Sequence, residues 1–244
     1  MITFVAERYS QAPLFAIGWS LGANILVNYL GEQGAAAEGA AAAVLPAGGT
    51  HLSGAASMCN PIELTACDAA LEHGMGRVYS RSMGSGLRRV YEPHAPLFVG
   101  HPTLDAAGAS SCVTVRDFDE AITRRAFGFP SVDAYYQASG SASKVPTVKV
   151  PLLCVAAADD PIAVDDAVPR AAIAANPHAA LVVTPSGGHL GWITTCSGAF
   201  GPPQPYTGVL QWFTTLVREV AAAKKLSPPT ATGAGRVLAA AGRE

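Results

Sequence analysis

The pentapeptide Gly18-Trp-Ser-Leu-Gly22 closes an unbroken apolar run, Pro13-Leu-Phe-Ala-Ile17, and opens a stretch from Leu21 to Leu30 with apolar residues at helical spacing. A strand that turns into a helix within so few residues leaves the serine on a strained turn. Glycines on either side are expected because a side chain there would meet neighbouring backbone. A continuous apolar run reads as a strand covered on both faces, which occurs in parallel sheets. Gly31 and Gly34 are expected to close the helix. The Ala- and Gly-rich residues 35–49 then read as a surface insertion.

Three more strands follow the same logic. His51 to Cys59 stops at Asn60-Pro61, Val148 to Ala156 stops before Asp159-Asp160-Pro161, and Ala180 to Thr184 stops at Pro185-Ser-Gly-Gly-His189. Residues 63–145 carry no strand run and read as an irregular helical excursion. Ala167 to Ala175 and Gly208 to Leu226 read as helices, and 227–244 as a disordered tail. Strands alternating with helices predict an α/β fold with a mostly parallel sheet.

A serine hydroxyl is a poor nucleophile at neutral pH. It needs a histidine base, and the histidine needs an acid to hold its tautomer. Ser20, Asp160 and His189 occur in the order expected when a Gly-x-Ser-x-Gly turn carries the nucleophile. Asp160 follows a buried strand and precedes Pro161, so its carboxylate emerges at the carboxyl edge of the sheet. Asp159 competes for the role; Asp160 is preferred as the residue directly before the proline, with Asp159 as a solvated flank. His189 sits in a Gly-Gly-His-Leu-Gly loop after the last strand. His51, His73, His94, His101 and His178 lack such a setting and read as surface or cap residues.

Composition narrows the partners. With 16 Lys plus Arg against 18 Asp plus Glu, a net charge of −2 and 14% charged residues, the chain lacks the basic excess that nucleic acid demands. No apolar run reaches the ~18 residues of a membrane span. Cys59, Cys67, Cys112, Cys154 and Cys196 are odd in number and form no Cys-x-x-Cys pair. That pattern predicts free buried thiols and an intracellular, reducing compartment. The first ten residues have neither the basic start nor the apolar core of a secretory signal.

Phe15-Ala-Ile-Gly-Trp-Ser-Leu-Gly-Ala-Asn24, Phe118-Asp-Glu-Ala-Ile-Thr123 with Phe127-Gly-Phe129 and Tyr135-Tyr136, Ala158-Asp-Asp-Pro-Ile162 and Gly187-Gly-His-Leu-Gly-Trp192 occur in this order. Together they resemble the α/β-hydrolases of the embryogenesis-associated EMB8 type, whose relatives include YheT-like hydrolases and the abhydrolase-domain 1 and 3 lipases. The resemblance runs from about Ala12 to Leu226. It implies carboxylic ester hydrolysis, with acylglycerols, phospholipids or short acyl esters as substrates and no cofactor or metal. It places the triad on Ser20, Asp160 and His189, gives the backbone N–H of Leu21 a share of the oxyanion, and makes 63–145 a cap over an acyl pocket. Such proteins carry further strands ahead of the nucleophile strand. The expectation is therefore a partial domain, 1–226, lacking N-terminal strands, with any membrane contact supplied by that upstream part. A binding protein of the same shape without turnover is the alternative.

Overall fold

The computed structural model describes residues 1–39, 45–192 and 204–223. Strands β1 (Leu14–Trp19), β2 (Leu52–Met58), β3 (Leu152–Ala157) and β4 (Ala179–Thr184) form one sheet in the order β1-β2-β3-β4, and every pairing is parallel. All four expected strands are present. The third begins at Leu152 rather than Val148 because Pro151 has no N–H for the ladder. The chain before it is held instead by Asn176, whose Nδ2 donates to the carbonyls of Val145 (2.7 Å) and Val148 (3.0 Å).

The helices are α1 (Ile2–Arg8), α2 (Leu21–Glu38), α3 (Leu64–Leu71), α4 (Gly74–Tyr91), α5 (Ala106–Ser111), α6 (Val115–Phe118), α7 (Arg124–Ala126), α8 (Val132–Ser139), α9 (Arg170–Ala175) and α10 (Gln204–Ala223). A π-helical turn, Asp119–Thr123, joins α6 to α7. Side chains alternate across the buried strands, so each sheet face has its own core. Leu152 and Cys154 pack with Val27 and Leu30 of α2 and Ile173 of α9, while Leu153 and Val155 pack with Trp192 and Val209 of α10. Among the described residues, β1 is paired on one side only. None of the helices searched among them is long and apolar enough to cross a membrane.

Gly31 and Gly34 do not end α2, which runs on to Glu38. They allow close approach instead: a Cβ on Gly34 would lie 1.9 Å from the Thr147 carbonyl oxygen, and one on Gly31 would lie 2.5 Å from that of Lys144. Thr147 Oγ1 donates to the Gly31 carbonyl at 2.8 Å across the same contact. Gly34→Val forces this backbone apart and is expected to cost about 3 kcal/mol or more, measured as a lower urea midpoint with an unchanged slope. The expected insertion is accordingly shorter. Residues 35–38 belong to α2, and Ala47–Gly49 is a tight turn in which Gly49, at φ +82°, sits 2.0 Å from the Gln33 carbonyl oxygen by the same measure. The remainder, 40–44, lies outside the described residues, as does the expected tail 227–244.

Residues 63–145 are helical throughout their regular elements and cover the carboxyl edge of β1 and β2. Asn24 and Asn28 of α2 tie the end of this cap down, both donating to the Ser139 carbonyl, at 2.8 and 3.0 Å. Inside the cap, Arg116 bridges Asp68 and Asp133.

Candidate active site

Each strand delivers one part of the site at its carboxyl end, where parallel sheets bind ligands. Ser20 follows β1 at φ +51°, ψ −126°, in left-handed φ territory that L residues avoid, while its N–H still donates to Met58 O of β2 at 2.9 Å. The strain is compatible with the fold because Gly18 lets α2 fold back: a Cβ there would stand 2.5 Å from Ala23 Cα. Gly22 differs from the expectation. A Cβ there meets nothing within 4 Å, because this position faces outward among the described residues.

His189 Nε2 lies 2.8 Å from Ser20 Oγ, and its Nδ1 lies 2.9 and 3.1 Å from the two oxygens of Asp160. The Asp160 side chain is almost completely buried. Burial pushes its pKa upward, but the His189 hydrogen bond and the amides of Ile162 and Ala163, each 2.9 Å from Oδ1, outweigh that and hold it below its ordinary value of 3.8. Asp160 is thus an ionised acceptor for Nδ1–H, which leaves Nε2 free to accept the serine proton. The structure brings Ser20, Asp160 and His189 together; the other five histidines stand elsewhere, His101 Nδ1 for instance accepting from the Thr103 and Leu104 amides. Leu21 opens α2, and as the first amide of the helix it has no acceptor within it.

Asp159 is exposed, as expected of a flank, but its Oδ1 accepts from Gly188 N at 2.8 Å and so fastens the loop that carries His189. The loop is tightly wound, with Gly188 at φ +53°, Leu190 at +69° and Trp192 at +39°. Trp192 anchors its far end: the indole packs under Gly187 and Nε1 donates to Thr184 Oγ1 of β4 at 2.8 Å. The glycine-rich loop that carries the imidazole is thus pinned at both ends.

Cys59, directly after β2, also meets this loop, its Sγ 3.7 Å from the Gly188 carbonyl oxygen, a contact that nothing in the sequence around it marks. Its backbone is left-handed (φ +44°), and burial pushes its thiol up to about 12. Ligand atoms of Cys59, Asp160 and His189 lie within 4.8 Å of one another, a set that could hold a metal ion. A metal there would have to displace the thiol proton and break the His189–Asp160 bond. The four described cysteines are buried thiols, as expected; Cys196 lies outside the described residues.

Ser20 and Leu21 open into a cavity of about 570 Å³ walled by α3, α4, the π turn and α8. Its lining is mainly apolar, including Leu64, Leu71, Met83, Leu87, Val115 and Phe118. One buried polar cluster interrupts the wall: Asp119 accepts from Thr123 Oγ1 (2.6 Å) and Tyr136 OH (2.8 Å), and burial raises its pKa against both bonds. A second, polar cavity of about 540 Å³ shares Asp68 and Leu71 with the first but contains neither Ser20 nor His189.

No family model matches the chain. Over 219 residues, 88% of the chain, it is 40% identical to the embryogenesis-associated protein EMB8 of Picea glauca, across 45% of that protein. It is 30% identical to a monoacylglycerol lipase of Saccharomyces cerevisiae over 212 residues, 85% of the chain and 44% of the lipase. The medium-chain fatty acid ethyl ester synthase/esterase 2 of the same yeast is 30% identical over 208 residues, 77% of the chain and 43% of that protein. The chain thus spans less than half the length of these curated relatives.

Proposed function

The chain belongs to the α/β-hydrolase family, and from that premise we propose that it is a serine hydrolase of carboxylic esters, with acylglycerols, phospholipids or shorter acyl esters as substrates. The observation that carries the reading is the relay from Asp160 through His189 to Ser20 Oγ, its last link 2.8 Å long, at the mouth of an apolar cavity of about 570 Å³. An ester acyl chain fits such a lining.

In the proposed reaction Ser20 Oγ attacks the ester carbonyl carbon while His189 Nε2 takes its proton. The carbonyl oxygen becomes an oxyanion held in part by the Leu21 N–H at the start of α2. Asp160 stabilises the imidazolium without taking the proton itself. Collapse of the intermediate breaks the bond to the alcohol, which leaves with the proton from His189. Water, deprotonated by His189, then attacks the acyl-enzyme and releases the acid. No step calls on a metal or organic cofactor.

The pocket makes a graded prediction. Each buried methylene contributes about 0.8 kcal/mol, so kcat/KM for p-nitrophenyl esters should climb several-fold per added carbon from acetate until the cavity is full. Ser20→Ala measured in parallel should lower the rate at least about 10⁴-fold for every ester. A binding protein of the same shape would instead take up the esters without releasing p-nitrophenol.

A further inference from the structure

We propose that α4 docks the chain on an anionic lipid surface and so places the mouth of the acyl cavity against the membrane. The observation is a concentration of charge in one element. The chain as a whole is at −2, but the 18 residues of α4 carry Arg77, Arg81, Arg88 and Arg89 and no acid. Arg88 is engaged, donating to Cys112 O at 3.1 Å and pairing with Glu92. Arg77, Arg81 and Arg89 are exposed and have no ion-pair partner among the described residues. Of the acids nearby, Asp68 is held by Arg116 and Glu92 by Arg88, while Glu72 and Asp117 border the same polar cavity as Arg77 and Arg81 without reaching ion-pair distance, so these two acids offset part of the charge of three free arginines.

Apolar side chains stand exposed on the same helix, Val78 between the arginines and Met75 and Val90 flanking them. Met75, Val78 and Val90 are 63%, 55% and 70% exposed, and the segment after the helix exposes Leu97 and Val99. Cations interleaved with exposed apolar groups on one helix match a phospholipid interface, where the guanidinium groups meet phosphates and the apolar groups enter the acyl boundary. A nucleic acid would satisfy the charges and leave the apolar groups in water. The same helix also walls the cavity through Met83, Gly86, Leu87 and Val90. Val90 is both exposed and part of the lining, so the docking face continues into the binding pocket. Lipid leaving the bilayer there would reach Ser20 without crossing bulk water; this direction of flow, though not the docking, rests on the ester-hydrolase reading.

The test is flotation of the purified chain with vesicles of phosphatidylcholine alone or mixed with phosphatidylserine. The expected result is partitioning onto the mixed vesicles, weak binding to phosphatidylcholine, and loss of binding as salt rises. Each arginine near such a surface is worth about fivefold in partitioning, so the R77Q/R81Q/R89Q variant should bind about 100-fold more weakly while hydrolysing soluble p-nitrophenyl butyrate like the parent. Ser20→Ala should float like the parent, which keeps this result independent of the chemistry at Ser20. Equal binding to both vesicle types would overturn the proposal, as would a triple variant that floats normally. A chain that ignores vesicles but self-associates through α4, with the variant dissociating the pair, would overturn it as well.

Discussion

Ser20→Ala is expected to lower kcat toward p-nitrophenyl butyrate by a factor on the order of 10⁴ to 10⁶, with the urea midpoint close to that of the parent. The loss is large because the Oγ removed is the atom that forms the acyl-enzyme, and nothing else at the mouth of the cavity replaces it. Cys67 lines the same cavity, with its thiol pushed by burial up to about 11, and Cys59 beside His189 has its thiol pushed up to about 12, its Sγ 3.7 Å from the Gly188 carbonyl oxygen. Both hold almost no thiolate at neutral pH. A small effect on stability is expected because Ser20 is held through its backbone, by the bond from its N–H to Met58 O, and alanine keeps that bond.

Asp160→Asn is expected to cost about 10⁴-fold in kcat. The asparagine oxygen can still accept from the amides of Ile162 and Ala163, so the loop keeps its shape. Its NH₂, however, faces Nδ1 and favours the tautomer with the proton on Nε2, which then points at Ser20 Oγ and cannot accept a proton. The same carboxylate links activity to acid stability. Its folded pKa lies below its ordinary value of 3.8. Its contribution is therefore fully present above that value and is lost as pH falls through the lower folded one. The parent should consequently lose stability relative to Asp160→Asn when urea midpoints are compared from pH 5 down to pH 3. Asp68 and Asp119 work in the opposite direction, because burial raises both, so the difference between the two proteins isolates the Asp160 share.

The parts of this molecule that could be read in advance are those written in contiguous residues. β1, β3 and β4 are short unbroken apolar runs and stand out, whereas β2, Leu-Ser-Gly-Ala-Ala-Ser-Met, is marked chiefly by the Asn60-Pro61 turn that ends it. Ser20, Asp160 and His189 each lie in the turn that follows such a strand, which makes them candidates before any contact is seen. Other features depend on residues distant in sequence. Gly31 and Gly34 look like helix stops until Thr147 and Lys144 are seen lying against them. Asp159 looks like a solvated neighbour of the acid until Gly188, 29 residues later, donates to it. The left-handed backbone of Cys59 and the π turn at Asp119 leave no periodic trace. The cavity is assembled from α3, α4 and α8, whose apolar residues could equally have formed a closed core. The open face of α4 could have been suspected from its four arginines, yet a whole-chain charge of −2 hides a local excess of that size.

A fluorophosphonate tests most directly, and without reference to any natural substrate, whether Ser20 is an activated nucleophile. It should phosphonylate the parent at one site, found by mass spectrometry in the peptide carrying Ser20, and labelling should vanish in Ser20→Ala and fall steeply in Asp160→Asn. Labelling of Ser20→Ala to the same extent as the parent would contradict the account.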